Sequence, residues 1–519
     1  MKVAGILLTF VVFFTVLTTP VFAQTTVTCG DTISSPGDYV INADVTDYPS
    51  TCITINSDNV NLDCRGHIID GPGLVLSFGV YSDGYDNLVI DNCVFQELDE
   101  AIQIFSADGV TIQNSQIIDN FDGVYMYDVT NVLFQGNVVK DHGLFYGVKV
   151  HFGKHLDFRN NGFVNNDRSH TGRYEAALSL YSTCDVTVGA NNNFNGNYRG
   201  IRIDNWNDYD TDGWPYPLDD CTFGHVIENN NFDDNVVKGI ILFMIMNRFE
   251  DMETVIRYNT FTNHQMGAVF IEDNDNVVKM HDNTFTNNLW YCVAALGAGN
   301  RFHGDGIYAK GNNLEFYDNV CTGPASYTSG DHCIYVTHSA GASNNNYFHG
   351  NTLSSCAAGI FFNGNYEGEN NIVEGNTITN TNTGVYVTNS EGVTITQNQL
   401  YGNNFGLGLL GDNNVIVYLN DIYFNSQYGV AGDSYSRELS YGGEGNYWGH
   451  ATPPCFVPGV DSQSVNVVDS YATCDIVSSC GNEGDPCEDG NECTINDVCT
   501  GGVCVGTIDF RRSCDDGNE

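Results

Sequence analysis

Eight basic residues, Lys140, Lys149, Lys154, Arg159, Arg168, Arg173, Arg199 and Arg202, fall between residues 140 and 202. The same stretch holds five acidic ones, Asp141, Asp157, Asp167, Glu175 and Asp185, and four histidines, His142, His151, His155 and His170. That is an island of positive charge in a chain whose formal net charge is −45. Tyr125 and Tyr127 precede it, Tyr181 lies within it and Asp204 closes it. Aromatic platforms beside Lys, Arg, His and Asp are what a groove for carboxylate-bearing sugars requires. The same set can serve β-elimination, which needs a neutralised carboxylate and a base over the neighbouring carbon. Arg202 with a bound cation supplies the first, and Lys149, His151 or Tyr181 the second. The plainer reading is that these are ordinary polar residues on a solvated surface.

A second candidate lies in the stretch NWNDYDTDGWPYPLDD, Asn205 to Asp220. Asp208, Asp210, Asp212, Gly213 and Asp219 match positions 1, 3, 5, 6 and 12 of a calcium loop, with the Trp214 carbonyl at position 7. Asp219 replaces the usual bidentate Glu, and Pro215 and Pro217 argue against paired helices. Calcium is the expected cofactor; the alternative is an acidic solvated loop. Trp206, Tyr209, Trp214 and Tyr216 on this loop are positioned to cover a sugar, as is Arg173 in the insertion Asp167 to Glu175. Hydrolysis needs two carboxylates at a set separation. On the strand face of the central coils Asp204 is the one acid expected, so a hydrolase would borrow a loop acid such as Asp208. A lyase is therefore the favoured enzyme, if the chain is catalytic. His303 with Asp305 and Asp331 with His332 read as turn features.

The elements that would position these residues come from a repeat. GVYSD at Gly79, AIQIF at Ala101, GVYMY at Gly123 and GVKVH at Gly147 start 22, 22 and 24 residues apart. The series runs on through ALSLY at Ala177, GIRID at Gly200, GIILF at Gly239 and GVYVT at Gly384 to GVAGD at Gly429. Short strands ending in Asn114, Asn137, Asn259, Asn398 and Asn420 sit between. One coil per repeat buries alternate apolar residues only when neighbours stack on it. Recurrent Asn suits a ladder in which each amide donates to one coil and accepts from the next. The leucine frame of leucine-rich repeats is absent. The expectation is an all-β parallel helix of roughly fifteen coils, about 70 Å long at ~4.8 Å per coil. Alternation sends Val148 and Val150, Leu178 and Leu180, and Ile201 and Ile203 inward. Lys149 and His151, Ser179 and Tyr181, and Arg202 and Asp204 then face outward on three successive coils, with Tyr125 and Tyr127 on the coil before.

VNLDCRGHIIDG, Val60 to Gly71, resembles the opening coil of secreted right-handed parallel β-helix proteins of pectin-lyase-like architecture. GNYWG, Gly445 to Gly449, is similar to their closing segment. The subgroup includes periplasmic copper-binding and surface carbohydrate-processing proteins. The resemblance implies the fold across most of residues 50 to 450. It does not imply one activity, because the family mixes lyases, hydrolases, epimerases and non-enzymes. Copper would need a dense His/Met cluster, and His151 with His155 is the nearest approach.

Composition sets the outer bounds. The 519 residues include 19 Lys+Arg, 64 Asp+Glu and 18 Cys, and 42% are hydrophobic, an ordinary fraction for a folded chain. A balance of −45 argues against nucleic acid and anionic membranes as partners. Residues 1–23 read as a signal peptide, with Lys2, an apolar run from Val3 to Val16, and Val21-Phe22-Ala23 before the cut. No membrane insertion is expected after its removal. Export to the surface, the medium or a periplasm agrees with cysteines that all follow it. No Asn-x-Ser/Thr acceptor occurs. The expected layout is a cap over 24–57, the β-helix over 58–450, a connector over 451–479 and a Cys-rich module over 480–519. Cys29 and Cys52 are placed to pair within the cap. CEDGNE at Cys487 returns as CDDGNE at Cys514, so further repeats are expected beyond residue 519. The functional expectation is a secreted protein that binds an anionic polysaccharide, with calcium-assisted lyase activity as its catalytic form. The alternative is a non-catalytic surface rod for adhesion or display.

Overall fold

The computed structural model describes residues 24–73, 76–143, 146–166, 176–204, 224–243, 253–272, 277–289, 291–296, 314–326, 330–337, 344–364, 369–411, 414–432, 439–448, 494–500 and 503–508. Among these the regular elements are strands only. One sheet has 29 strands and another 14, and the pairings within both are parallel. The chain winds around three faces. In the early coils, the long strands Glu100–Gln113, Asp122–Gln135 and Val148–Arg159 bend from the first face onto the second, which merges two ladders into the larger sheet. In the next coil the bend splits the run into Leu178–Tyr181 and Cys184–Gly189. The third face is the 14-stranded sheet, with Gln116–Ile118, Val138–Lys140 and Gly162–Val164 as successive rungs.

Alternation inside each strand fixes what is buried. Val124 and Met126, Val148 and Val150, Leu178 and Leu180, and Ile201 and Ile203 all lie in the core. Because equivalent residues repeat at each coil, like stacks on like. The Phe163, Phe194, Phe232, Phe261 and Phe285 rings form one column, with successive centroids 4.7, 4.8, 4.7 and 4.8 Å apart. The small residue that opens each repeat has a steric cause. A Cβ on Gly147 would lie 2.6 Å from the Ala177 carbonyl oxygen of the next coil.

The expected asparagine ladder is present. Asn161 donates from Nδ2 to Oδ1 of Asn192 at 2.9 Å, and Asn192 to Asn230 at 2.9 Å. The relay continues through Asn259, Asn283, Asn319, Asn351, Asn376, Asn398 and Asn420 to Asn446. One expected rung differs. Asn114 takes a left-handed φ of 51° and turns its amide to Asp91, so the buried position in that coil belongs to Ser115. A second ladder runs Asn166, Asn197, Asn235, and there His264 takes over the asparagine's place before Asn288.

Cys29 pairs with Cys52 as expected, and Cys64–Cys93 and Cys333–Cys356 are further disulfides. The stretch expected to cap the stack contributes its own rungs, with Thr25–Thr26 and Gly37–Val40 paired into the larger sheet. At the other end Trp448 is buried against the core and Tyr447 bridges to Asp421. Thr494–Thr500 and Val503–Ile508 form a separate antiparallel pair.

Candidate functional site

The register of the first face brings the sequence-predicted residues together. Tyr125 lies beside Lys149, Lys149 beside Ser179 and Ser179 beside Arg202, while Tyr127, His151, Tyr181 and Asp204 form the parallel row. Gln103 and Phe105 extend the two rows by one coil, and Tyr81 and Asp83 by another. The rings pack into a continuous patch. Phe105 meets Tyr125 at 5.7 Å, Tyr125 meets His151 at 5.9 Å, and His151 meets Tyr181 at 4.7 Å between centroids. Lys149 Nζ stands 5.2 Å from the ring centroids of both Tyr146 and Tyr181. A cation over two ring faces is attracted electrostatically by the rings.

Arg202 and Asp204 differ from their expected state. Both point outward by register yet are buried, at 5% and 7% exposure, and Nη2 of Arg202 lies 2.5 Å from Oδ2 of Asp204. The guanidinium also sits 5.6 Å from the Tyr181 centroid. Each charge is therefore compensated by the other. Ser179 between them and Lys149 is fully buried.

Beyond the central coils, where Asp204 is the one acid expected, the face carries two more acids on earlier coils. Glu100 and Asp122 are neighbours across adjacent coils at the face's leading edge, each half-buried. Tyr146 links them: its hydroxyl donates to Oε1 of Glu100 at 3.0 Å, and its backbone N–H lies 3.4 Å from Oδ1 of Asp122. Gln103 Nε2 donates to the other Glu100 oxygen. Burial pushes the Glu100 carboxyl above its usual range, opposed by hydrogen bonds from Gln103 and Tyr146 and by the Lys149 charge. The sequence signal for these residues is their place, one before the small residue that opens each repeat. Glu100, Asp122 and Tyr146 all occupy that place.

The basic island also divides. Each coil passes all three faces, so neighbours in sequence part company in space. Lys140 ends a third-face strand, Lys154 and Arg159 belong to the second face, and Lys149, Arg199 and Arg202 belong to the first. Lys238, outside the island, stands beside Arg199 in register; burial drives its ammonium well below its ordinary value, and Arg199 adds to that. His142 is buried at a third-face turn, and His155 lies at the corner, 3.1 Å from Asp185. Arg173, Trp206, Trp214 and the calcium-loop residues Asp208, Asp210, Asp212 and Asp219 lie outside the described residues.

A family model described as a right-handed beta helix region matches residues 33–194 and 332–442. No curated protein matches the sequence significantly. Among solved structures, the chain is similar to PfbA, a surface adhesin of Streptococcus pneumoniae, at 12% identity over 75% of this chain and 84% of that one, with a TM-score of 0.30. The Dettilon tailspike protein gives 14% identity over 79% of this chain and 62% of that one, with a TM-score of 0.30. A mutant DFA-IIIase from Arthrobacter chlorophenolicus gives 8% over 57% and 84%, with a TM-score of 0.25. Likenesses this distant carry no argument about what the chain binds.

Proposed function

This chain belongs to the right-handed β-helix family, and from that premise we propose that its first face binds an acidic polysaccharide. The observation that carries the reading is Lys149, whose ammonium lies over Tyr146 and Tyr181 within a row of outward aromatic side chains. Sugar rings pack on Tyr125, Tyr127 and Tyr181, and a sugar carboxylate pairs with Lys149. A surface of net −45 repels polyanions at long range, so contact depends on such a local cation within the ~8 Å screening length at physiological salt.

Calcium at Asp208, Asp210, Asp212, Trp214 and Asp219 is part of the proposal, supported by the spacing of those residues. Trp206 and Arg173 are proposed as further sugar contacts on the same grounds. Export is proposed from the apolar segment 1–23, and disulfides within the coils agree with an oxidising compartment. The pairing of Arg202 with Asp204 favours binding over elimination, because it engages the guanidinium expected to neutralise a sugar carboxylate. Affinity electrophoresis through polygalacturonate, alginate and a neutral xylan, with and without calcium, tests the reading. Retardation by the acidic gels that is lost in Lys149→Ala is expected. Equal migration in all gels would leave the surface-rod alternative in front.

A further inference from the structure

Tyr146 is buried, yet it touches two carboxylates and underlies a cation. Its hydroxyl is committed to Glu100, its N–H faces Asp122, and its ring lies 5.2 Å below Lys149 Nζ and 6.4 Å from Tyr125. Glu100 is thereby held from both sides, by Tyr146 on one oxygen and Gln103 on the other, at the edge of the aromatic rows. Parallel register sets Glu100 and Asp122 on neighbouring coils, about 4.8 Å apart along the stack. A sugar chain lying on Tyr125 with its carboxylate at Lys149 would run past both acids.

We infer that Glu100 is a proton donor of this face and Asp122 its carboxylate partner, so that the face hydrolyses a glycosidic bond of the polysaccharide it binds. The inference rests on the proposed glycan-binding reading and names the chemistry of that site. In the step, Glu100 gives its proton to the glycosidic oxygen as the bond from that oxygen to the anomeric carbon breaks. The bonding pair leaves with the oxygen. Asp122 attacks the anomeric carbon as that bond breaks, as closely spaced carboxylates do; water, giving its proton to Glu100, then displaces Asp122 and supplies the new hydroxyl. No oxidant or further co-reactant is needed. Burial favours the protonated form of Glu100, the form a donor needs. Elimination would instead leave an unsaturated sugar.

The test uses the full chain on polygalacturonate, alginate and hyaluronan, following new reducing ends, unsaturated ends and uptake of heavy oxygen from solvent. New reducing ends carrying solvent oxygen, without unsaturated ends, are expected. Glu100→Gln keeps an oxygen for the Tyr146 hydroxyl and should lower the rate roughly 100- to 10,000-fold with binding intact. Asp122→Asn should act alike. The wild-type rate should fall as pH rises through the Glu100 titration, and any residual rate in Glu100→Gln should lack that fall. Unsaturated products, or a Glu100→Gln rate equal to wild type, would overturn the inference. Binding without any cleavage would also overturn it while leaving the binding face standing. Absence of binding would remove both.

Discussion

The Lys149 ammonium lies 5.2 Å from the centre of the Tyr181 ring on the next coil, and Tyr181 in turn lies 5.6 Å from the Arg202 guanidinium. One tyrosine is thus shared by two cations of different standing. Lys149 is half-buried on the face, whereas Arg202 is buried and paired with Asp204. The two should respond differently to substitution.

Lys149→Ala should weaken binding to acidic gels and reduce its salt dependence, with little change in Tm. Arg202→Ala should lower stability by about 3–5 kcal/mol, because it strips the partner from a buried carboxylate. Thermal melts run beside the gels separate the two effects. Lys279→Ala serves as the comparison. That lysine lies on the second face between Glu253 and Glu315, at 2.8 and 4.0 Å, and its loss should leave gel retardation unchanged.

His264 should set part of the acid limit of the fold. Burial lowers its pKa from 6.5 to about 4, against the opposing hydrogen bond to the Asn288 amide oxygen and the nearby Asp233, while the Lys238 charge lowers it further. A depressed folded pKa means the unfolded chain binds the proton more tightly. The stability from neutral His264 is therefore complete above pH 6.5, declines as pH falls, and is lost at about pH 4. The full span corresponds to about 3 kcal/mol. His264→Asn restores the residue type of Asn235 and Asn288 and should move the acid-unfolding midpoint to lower pH. An unchanged midpoint by circular dichroism would show that this histidine does not contribute.

Asn283 should be worth far more than its exposed neighbour Asn287. Asn283 is buried, accepts from the Asn259 backbone and side chain at 3.0 and 3.1 Å, and donates to the Ile256 carbonyl at 2.8 Å. Asn283→Leu leaves buried groups on both adjacent coils unsatisfied, at a cost on the order of 3 kcal/mol. Asn287 bonds to Asn263 in the open, and its left-handed φ of 55° suits glycine, so Asn287→Gly should change stability by about 0.5 kcal/mol or less. Denaturant melts of the two variants make the comparison.

Calcium should raise Tm in the wild type, in proportion to the logarithm of its concentration once saturating. The double substitution Asp208→Ala, Asp212→Ala should abolish the rise. A wild type that takes up no calcium by titration calorimetry would reduce the 208–219 loop to an acidic surface.

The sequence by itself determined the coil, its inward alternation and, to within one residue, its asparagine ladder. These are legible because a repeat of 22 to 24 residues forces like onto like, so one coil's pattern states the environment of the next. It also named Tyr125, Lys149, His151, Tyr181 and Arg202 as sharing a face, since alternation alone separates inside from outside. Only the tertiary structure decided which charges meet. Winding sent Lys140, Lys149 and Lys154 to three different faces, although they are close in sequence. Stacking buried Arg202 against Asp204 and gathered Glu100, Asp122 and Tyr146 from three coils. Side-chain polarity says only whether a residue leaves the core. Its burial, partner and proton affinity depend on the coils above and below, and these are fixed only when the stack has formed.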